Sequence, residues 1–318
     1  MDEFSLIDEF FRATAFRRED VTLGIGDDAA LLRVPPGAEL VAALDTLVAG
    51  RHFPPDFPPG AIGYRAAAVN LSDFAAMGAE PRWALLGLTL PAADRAWLTP
   101  FAGGLAAALG AARVALVGGD TTRGPLTVTV QLLGTVPAGT ALRRDRARPG
   151  DAVLVSGAPG EAAGGLACWP RRGEASDAMQ TLLGRFLRPT PRLALGRMLA
   201  ALATSCIDVS DGLLADLGHI AAASGCGAVV EWAALPVSAA LVAVMGEARA
   251  RELAAAGGDD YELCFTCPAA RVAALEEAAA ALGVPVTRIG VMRAGEGVVI
   301  RDPDGHERTP AATGYRHF

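Results

Sequence analysis

The 318-residue chain contains no lysine; all 28 of its basic residues are arginine. That absence excludes a phosphate-binding loop built on lysine and a Schiff-base lysine. If the chain handles phosphates, arginine and metal ions must neutralise them. Cysteine is also scarce. The five, Cys168, Cys206, Cys226, Cys264 and Cys267, are odd in number and scattered, which argues against a disulfide framework. Cys264 and Cys267 form a C-x-x-C inside Tyr261-Glu-Leu-Cys-Phe-Thr-Cys267, a strand-like run. With no second pair to complete a zinc site, they read as core thiols. The four histidines, His52, His219, His306 and His317, are too dispersed for a metal site; His219 falls on a helix and reads as structural. No apolar run approaches the roughly 20 residues of a membrane span. The acidic start, Met1-Asp-Glu-Phe-Ser-Leu-Ile-Asp-Glu-Phe10, lacks the basic and apolar regions of a signal peptide, so the expected location is the cytoplasm. A net charge of −7 argues against nucleic acid or an anionic membrane as partner.

What is present is 52% apolar residues, enough for large cores, in a length that suggests two domains. An amphipathic helix opens the chain. Val41–Asp45 reads as a short buried strand ending on an acid. Residues 53–60 are a Pro- and Gly-rich loop, and 60–77 have helical spacing ending at Gly78. Strands at 84–90 and 114–117 flank a helix near 94–110. Residues 126–136 alternate Thr with apolar residues, the period of a strand. The stretch 137–150, closing on Arg148-Pro-Gly-Asp151, is the expected boundary, giving domains 1–137 and 138–318. Beyond it come a strand at 152–156, helices near 160–168, 176–187, 191–203 and 212–224, and two strand–helix–strand units over 228–301. The fold class is α/β (α+β) in two domains.

Six acidic motifs stand beside Gly, Ser or Thr: Gly26-Asp-Asp28, Asp45-Thr46, Asn70-Leu-Ser-Asp73, Gly118-Gly-Asp-Thr-Thr122, Asp208-Val-Ser-Asp-Gly212 and Gly257-Gly-Asp-Asp-Tyr-Glu262. Any one of them reads equally as a helix cap or a turn. Together they are harder to explain that way. Asn70 and Asp73 share a helix face at i and i+3, and Asp208 and Asp211 have the same spacing across Ser210. So many carboxylates repel one another unless cations sit among them. Oxygen ligands without a His or Cys cluster fit Mg²⁺ better than zinc. Bound Mg²⁺ beside Gly-rich turns points to a polyphosphate.

The ordered set GIGDDAALL, DTLVAGRHF, GYRAAAVNLSDFAAMGAEP, GGDTTRGPLTVTV, DVSDGLLADLGHI, GGDDYELCFT and GYRHF resembles the thiamine-monophosphate kinase family, within the aminoimidazole ribonucleotide synthetase-like superfamily. The resemblance spans nearly the whole chain. It implies an N-terminal ATP- and Mg²⁺-binding domain whose sheet pairs across a homodimer, and a C-terminal α/β domain completing the active site. The implied reaction is ATP plus thiamine phosphate giving ADP plus thiamine diphosphate. By position, Asp28, Asp45, Asp73, Asp120, Asp208 and Asp211 correspond to ligands of several Mg²⁺ ions. Gly119, Asp120, Arg144 and Ser210 correspond to ATP contacts, and His52, Asp259 and Tyr315 to thiamine phosphate contacts. Three positions depart from the family's pattern: Ala43-Leu44 stands where Ser-Thr is common, Asp259 where Glu is common, and Tyr315 where Trp is common. No general base is expected, because the acceptor phosphate, with a second pKa of about 6, is already mostly ionised near neutral pH. The rivals are another enzyme of the superfamily and a non-catalytic binding protein. No Cys precedes residue 168 and the chain ends Tyr315-Arg-His-Phe318, which removes the cysteine chemistry expected of two superfamily members.

Overall fold

Alternation along the chain translates directly into sheets in the computed structural model, which describes residues 3–12, 16–174, 176–310 and 314–315. The chain divides into two units, residues 1–74 with 79–140, and residues 75–78 with 141–318.

In the first unit a short helix α1 (Glu3–Leu6) runs into a wider helical turn over Ile7–Arg12, and the buried Leu6, Phe10 and Phe11 mark its apolar side. The remainder of the expected opening helix, Met1 and Asp2, lies outside the described residues. Strands β1 (Val21–Leu23) and β2 (Leu31–Leu32) pair antiparallel. Then come β3 (Ala38–Val48), α2 (Pro59–Ala76), β4 (Glu80–Leu90), α3 (Arg95–Ala111), β5 (Ala115–Arg123) and β6 (Thr127–Pro137). The sheet order is β3-β6-β4-β5, with β4 and β5 parallel and the other pairs antiparallel. The Asp94 side chain caps α3 by accepting the Ala96 N–H. In β6 the valines 128 and 130 and Leu132 are buried while the threonines 127 and 129 are half-exposed, as the alternation requires.

Two strands differ from their sequence reading. Val41–Asp45 is not a short buried strand: it is the middle of an eleven-residue strand at the sheet edge, with Leu40 and Leu44 55% and 57% exposed. An edge strand with one open face buries only every second side chain. The strand expected at 114–117 continues through Gly118 and Gly119 to Arg123, so Asp120 lies inside β5 and not at its end.

The second unit contains β7 (Ala152–Ser156), α4 (Glu161–Cys168), α5 (Asp177–Leu187), α6 (Leu193–Leu199), β8 (Ser205–Asp208), α7 (Leu213–Ser224), β9 (Gly227–Glu231), α8 (Ala239–Met245), α9 (Glu247–Ala256), β10 (Leu263–Cys267), α10 (Val272–Ala281), β11 (Val286–Arg293), β12 (Val298–Arg301) and β13 (Glu307–Arg308). Its seven strands run β13-β12-β9-β11-β7-β10-β8, antiparallel except for β12 beside β9. The sheet is covered on both faces. Val153, Val155, Ile207 and Cys264 pack with α7 residues such as Leu213, Leu217 and Ile220. Ala152, Leu154, Cys206, Phe265 and Cys267 pack with Leu195, Leu199, Leu275 and Ala279. Double coverage explains why β7 and β10 are buried at every position and mostly apolar. It also places Cys264 and Cys267 on opposite faces of one strand, where they cannot share a ligand; all five cysteines are buried and free.

Candidate active site

In the first unit, strand periodicity turns Asp45 to the less exposed side of β3, with Val41, Ala43 and Leu47. There its carboxyl hydrogen-bonds the carboxyl of Asp73 on α2. Desolvation raises the Asp45 pKa above its ordinary 3.8, and the Asp73 hydrogen bond offsets part of that rise. Two bare carboxylates cannot make this contact; it needs a proton or a cation between them. On the same helix Asn70 and Ser72 are buried, and Asn70 Nδ2 donates to the Ala66 carbonyl at 3.1 Å. Asn70 Oδ1 and Ser72 Oγ have no hydrogen-bond partner among the described residues.

The other expected residues of this unit stand on separate elements. Asp28 is exposed in the turn after Gly26, its N–H bonded to Asp27 Oδ1 at 2.9 Å. Asp120 is exposed on β5, opposite Gly87 of β4. Gly119 has φ +150°, and a Cβ there would run into the Leu86 carbonyl, so only glycine lets β5 lie this close to β4. His52 lies in the turn after β3. Its Nδ1 accepts the Val48 N–H at 3.0 Å, which leaves the ring proton on Nε2.

The second unit gathers its candidates through backbone hydrogen bonds. Asp208 is buried at the end of β8. The chain then turns through 209–212, so the i, i+3 spacing of Asp208 and Asp211 belongs to a strand end and loop, not to a helix face. Val209 N–H donates to the Glu262 carbonyl at 2.7 Å, and the Val209 carbonyl accepts the Tyr261 N–H at 2.8 Å. The Ser210 carbonyl accepts the Asp259 N–H, and the Asp211 carbonyl accepts the Tyr315 N–H, both at 2.8 Å. Asp208, Ser210, Asp211, Asp259 and Tyr315 are therefore one connected set. Gly258 completes it, since a Cβ there would press on the Ser210 carbonyl.

Two carboxylates that the motifs contain, but that spacing alone did not single out, build this set. Asp216, on the first turn of α7 and 2% exposed, accepts the N–H groups of Ser210, Asp211 and Gly212 on one oxygen, each at 3.1 Å. Burial pushes its pKa up to about 7, against the Gly212 N–H bond and with the help of the neighbouring Asp208 and Asp211 charges. Asp260 accepts the N–H groups of Gly160 and Ala162 at 2.6 and 3.1 Å, which ties the 257–262 loop to the start of α4. Beside it Glu262 is buried with Arg192 and the Ser156 hydroxyl.

The structure also changes the place of His219. The ligand-capable atoms of Asp211, Asp216 and His219 lie within 4.8 Å of one another, with His219 exposed. Arg144 is exposed in the segment before β7. Its carbonyl accepts the Ser224 hydroxyl at 2.8 Å. Tyr315 is 44% exposed. His317 lies outside the described residues.

Family comparison agrees with this division of the chain. The model of the AIR synthase related protein N-terminal domain matches residues 26–136, and that of the C-terminal domain matches 148–303. The thiamine-monophosphate kinase of Salmonella typhimurium is 49% identical, covering 99% of this chain and 98% of its own. That of Bacillus subtilis is 34% identical over the full length of both. This chain belongs to the thiamine-monophosphate kinase family. Among solved structures, the thiamine-monophosphate kinase of Stenotrophomonas maltophilia K279a has TM-score 0.89 at 48% identity, covering 97% of this chain and 98% of that one. AaThiL complexed with AMPPCP and TMP has TM-score 0.80 at 32% identity, covering 99% and 97%. The hydrogenase maturation protein HypE, at 24% identity and TM-score 0.78, shares the fold alone. Asp216 and Asp260 lie inside two of the motifs that carry the sequence resemblance.

Proposed function

We propose that this thiamine-monophosphate kinase family member transfers the γ-phosphoryl group of ATP directly to thiamine phosphate, yielding ADP and thiamine diphosphate. The observation that carries the reading is the connected set Asp208, Ser210, Asp211, Asp259 and Tyr315, in a chain whose fold matches a relative complexed with AMPPCP and TMP. AMPPCP is an ATP analogue that cannot pass on its terminal phosphate.

The donor set fits Mg²⁺. It is all oxygen, and the Asp45–Asp73 contact calls for positive charge. Asp28, Asp45, Asp73 and Asp120 in the first unit, and Asp208 and Asp211 in the second, are the proposed ligands. The ions neutralise charge on the polyphosphate. Gly119, Asp120, Arg144 and Ser210 position ATP. His52, Asp259 and Tyr315 position thiamine phosphate, with Tyr315 covering its rings and Asp259 accepting from its aminopyrimidine. An acceptor phosphate oxygen attacks Pγ, and the bond from Pγ to the bridging β–γ oxygen breaks. The acceptor needs no proton removed, so positioning and charge neutralisation suffice without a general base.

The first unit also serves as the dimerisation unit in this proposal. Leu40, Leu44 and Val48 are exposed on one face of β3, in register with Thr135, Gln131 and Thr127 of β6, and a second copy of the chain covers that face. The proposed location is the cytoplasm, where ATP is available; among the described residues no helix is long and apolar enough to cross a membrane.

The test is an assay of purified protein with ATP, Mg²⁺ and thiamine phosphate. ADP and thiamine diphosphate should form in equal amounts with sequential kinetics, from a protein of dimeric mass. No thiamine diphosphate, or a labelled phosphoprotein that hands its label to thiamine phosphate, would exclude direct transfer. A fully active monomer at micromolar concentration would exclude the dimer.

A further inference from the structure

We propose that Tyr261 is the positioning residue for Asp259, and that its hydroxyl sets which substrate heterocycles the site accepts. The inference rests on the reading of Asp259 as a thiamine phosphate contact.

Tyr261 occupies a conformation that a tyrosine avoids. Its φ is +53°, and Asp259 two residues earlier has φ +72°. Aspartate tolerates the left-handed region because its short side chain bonds locally; a bulky aromatic residue there is an outlier. Such strain persists only where the surroundings over-determine it. Here they do. The Asp259 and Tyr261 N–H groups bond the Ser210 and Val209 carbonyls at 2.8 Å each. Between them Asp260 is anchored on the Gly160 and Ala162 N–H groups. Immediately after them Glu262 is anchored on Arg192.

This geometry turns the Tyr261 side chain back on its own loop. The residue is 8% exposed, and its hydroxyl donates to Asp259 Oδ1 at 3.2 Å. Ring packing alone does not account for the hydroxyl, since phenylalanine would bury the same ring. What the hydroxyl adds is a fixed plane for the Asp259 carboxylate. Aspartate is one methylene shorter than glutamate and reaches less far toward a ligand, so the direction of its oxygens matters more. A carboxylate held in one plane rewards a heterocycle that presents an N–H donor. It rejects one that presents a carbonyl at the same place, because two acceptors then face each other.

The test uses the full-length enzyme and the Tyr261→Phe substitution, which keeps the ring. Three quantities are measured: KM for thiamine phosphate, KM for ATP, and discrimination against an analogue carrying a carbonyl in place of the pyrimidine amine. The KM for thiamine phosphate should rise about 5-fold, the value of one ordinary hydrogen bond. The KM for ATP, kcat and Tm should stay near their starting values, and discrimination against the analogue should weaken. Asp259→Asn should raise the same KM, and adding Tyr261→Phe to it should change nothing more, because the two act as one unit. An unchanged KM and unchanged discrimination in Tyr261→Phe, with Asp259→Asn still impaired, would overturn the inference and leave the substrate reading standing. A shift in Tm without a shift in KM would overturn it too. If Asp259→Asn left the KM for thiamine phosphate untouched, the reading of Asp259 itself would fail.

Discussion

In the first unit the Asp45 and Asp73 carboxyls touch each other, and the exposed Asp28 and Asp120 stand on other elements. In the second unit Ser210, Asp211 and Gly212 give their N–H groups to Asp216, and their neighbours Asp259 and Tyr315 are bonded to the same loop. The first arrangement places two acids together, and on the proposed reading a cation joins them. The second is built by the protein itself, through a carboxylate that need not touch a ligand. The same residue type thus has two duties, and substitution separates them. An acid that serves a ligand costs stability and supports activity. An acid that serves the backbone supports both.

The largest expected effect follows from the first duty. Asp73→Asn should cut turnover on the order of 100-fold or more, as loss of a phosphate-charge clamp does. Without metal, the same change should leave Tm unchanged or raise it, because an amide donates to the Asp45 carboxyl without needing a shared proton. Steady-state kinetics at saturating Mg²⁺, with thermal scans in EDTA, measure both. Near-normal turnover would remove Asp73 from the metal site, and a large fall in Tm would make it a scaffold residue.

The second duty predicts the reverse pairing. Asp216→Ala leaves three backbone N–H groups of a partly buried loop without their acceptor, at a cost of roughly 2–3 kcal/mol. Turnover should fall by roughly 10-fold, and the Mg²⁺ concentration for half-maximal rate should rise, because Asp211 loses its support. Asp216→Asn keeps an oxygen acceptor and should recover most of the stability. Urea unfolding and a Mg²⁺ titration check this. If Asp216→Ala lost neither stability nor Mg²⁺ affinity, the comparison between the units would collapse.

How far this was legible in the sequence depends on the type of signal. The sheets were, because alternation and apolar runs report burial directly. Edge position was not: nothing in Val41–Asp45 says that its neighbours on one side are missing, so Leu44 reads as part of a buried strand and is exposed. The acidic motifs were legible as a set through their order along the chain. Asp216 was not, because an aspartate on the first turn of a helix is ordinary, and only its three N–H partners make it special. Tyr261 was read as part of a strand; its positive φ follows from Asp260 and Glu262 being anchored on either side of it, a tertiary fact. His219 looked isolated along the chain and lies beside Asp211 in space.

The smallest expected effect is a pH slope, and it has opposite signs in different places. Asp216, pushed up to about 7 from an ordinary 3.8, holds its proton more tightly in the folded chain than in the unfolded one. Its share of stability is therefore full below about pH 4 and is lost as pH rises through about 7. Asp45, also raised, acts in the same direction. Asp20 works the other way. Burial would raise its pKa, but hydrogen bonds from Arg18, Trp83 and Arg82 outweigh that and hold it at about 2. Its contribution is present above about pH 4 and lost as pH falls through about 2. Thermal scans in EDTA should show Tm falling as pH rises from about 4 to about 7. Asp216→Asn should flatten that slope, because its amide does not titrate. Asp20→Asn should leave the slope intact and remove the loss of stability below pH 4. Mg²⁺ should shrink the slope in the wild-type protein, since on the proposed reading cations bound at Asp45 in the first unit and at Asp211 in the second favour the ionised acids. A slope unaffected by either Asp216→Asn or Mg²⁺ would mean that these carboxyls stay ionised throughout, and that like-charge contact is not what distinguishes the first unit from the second.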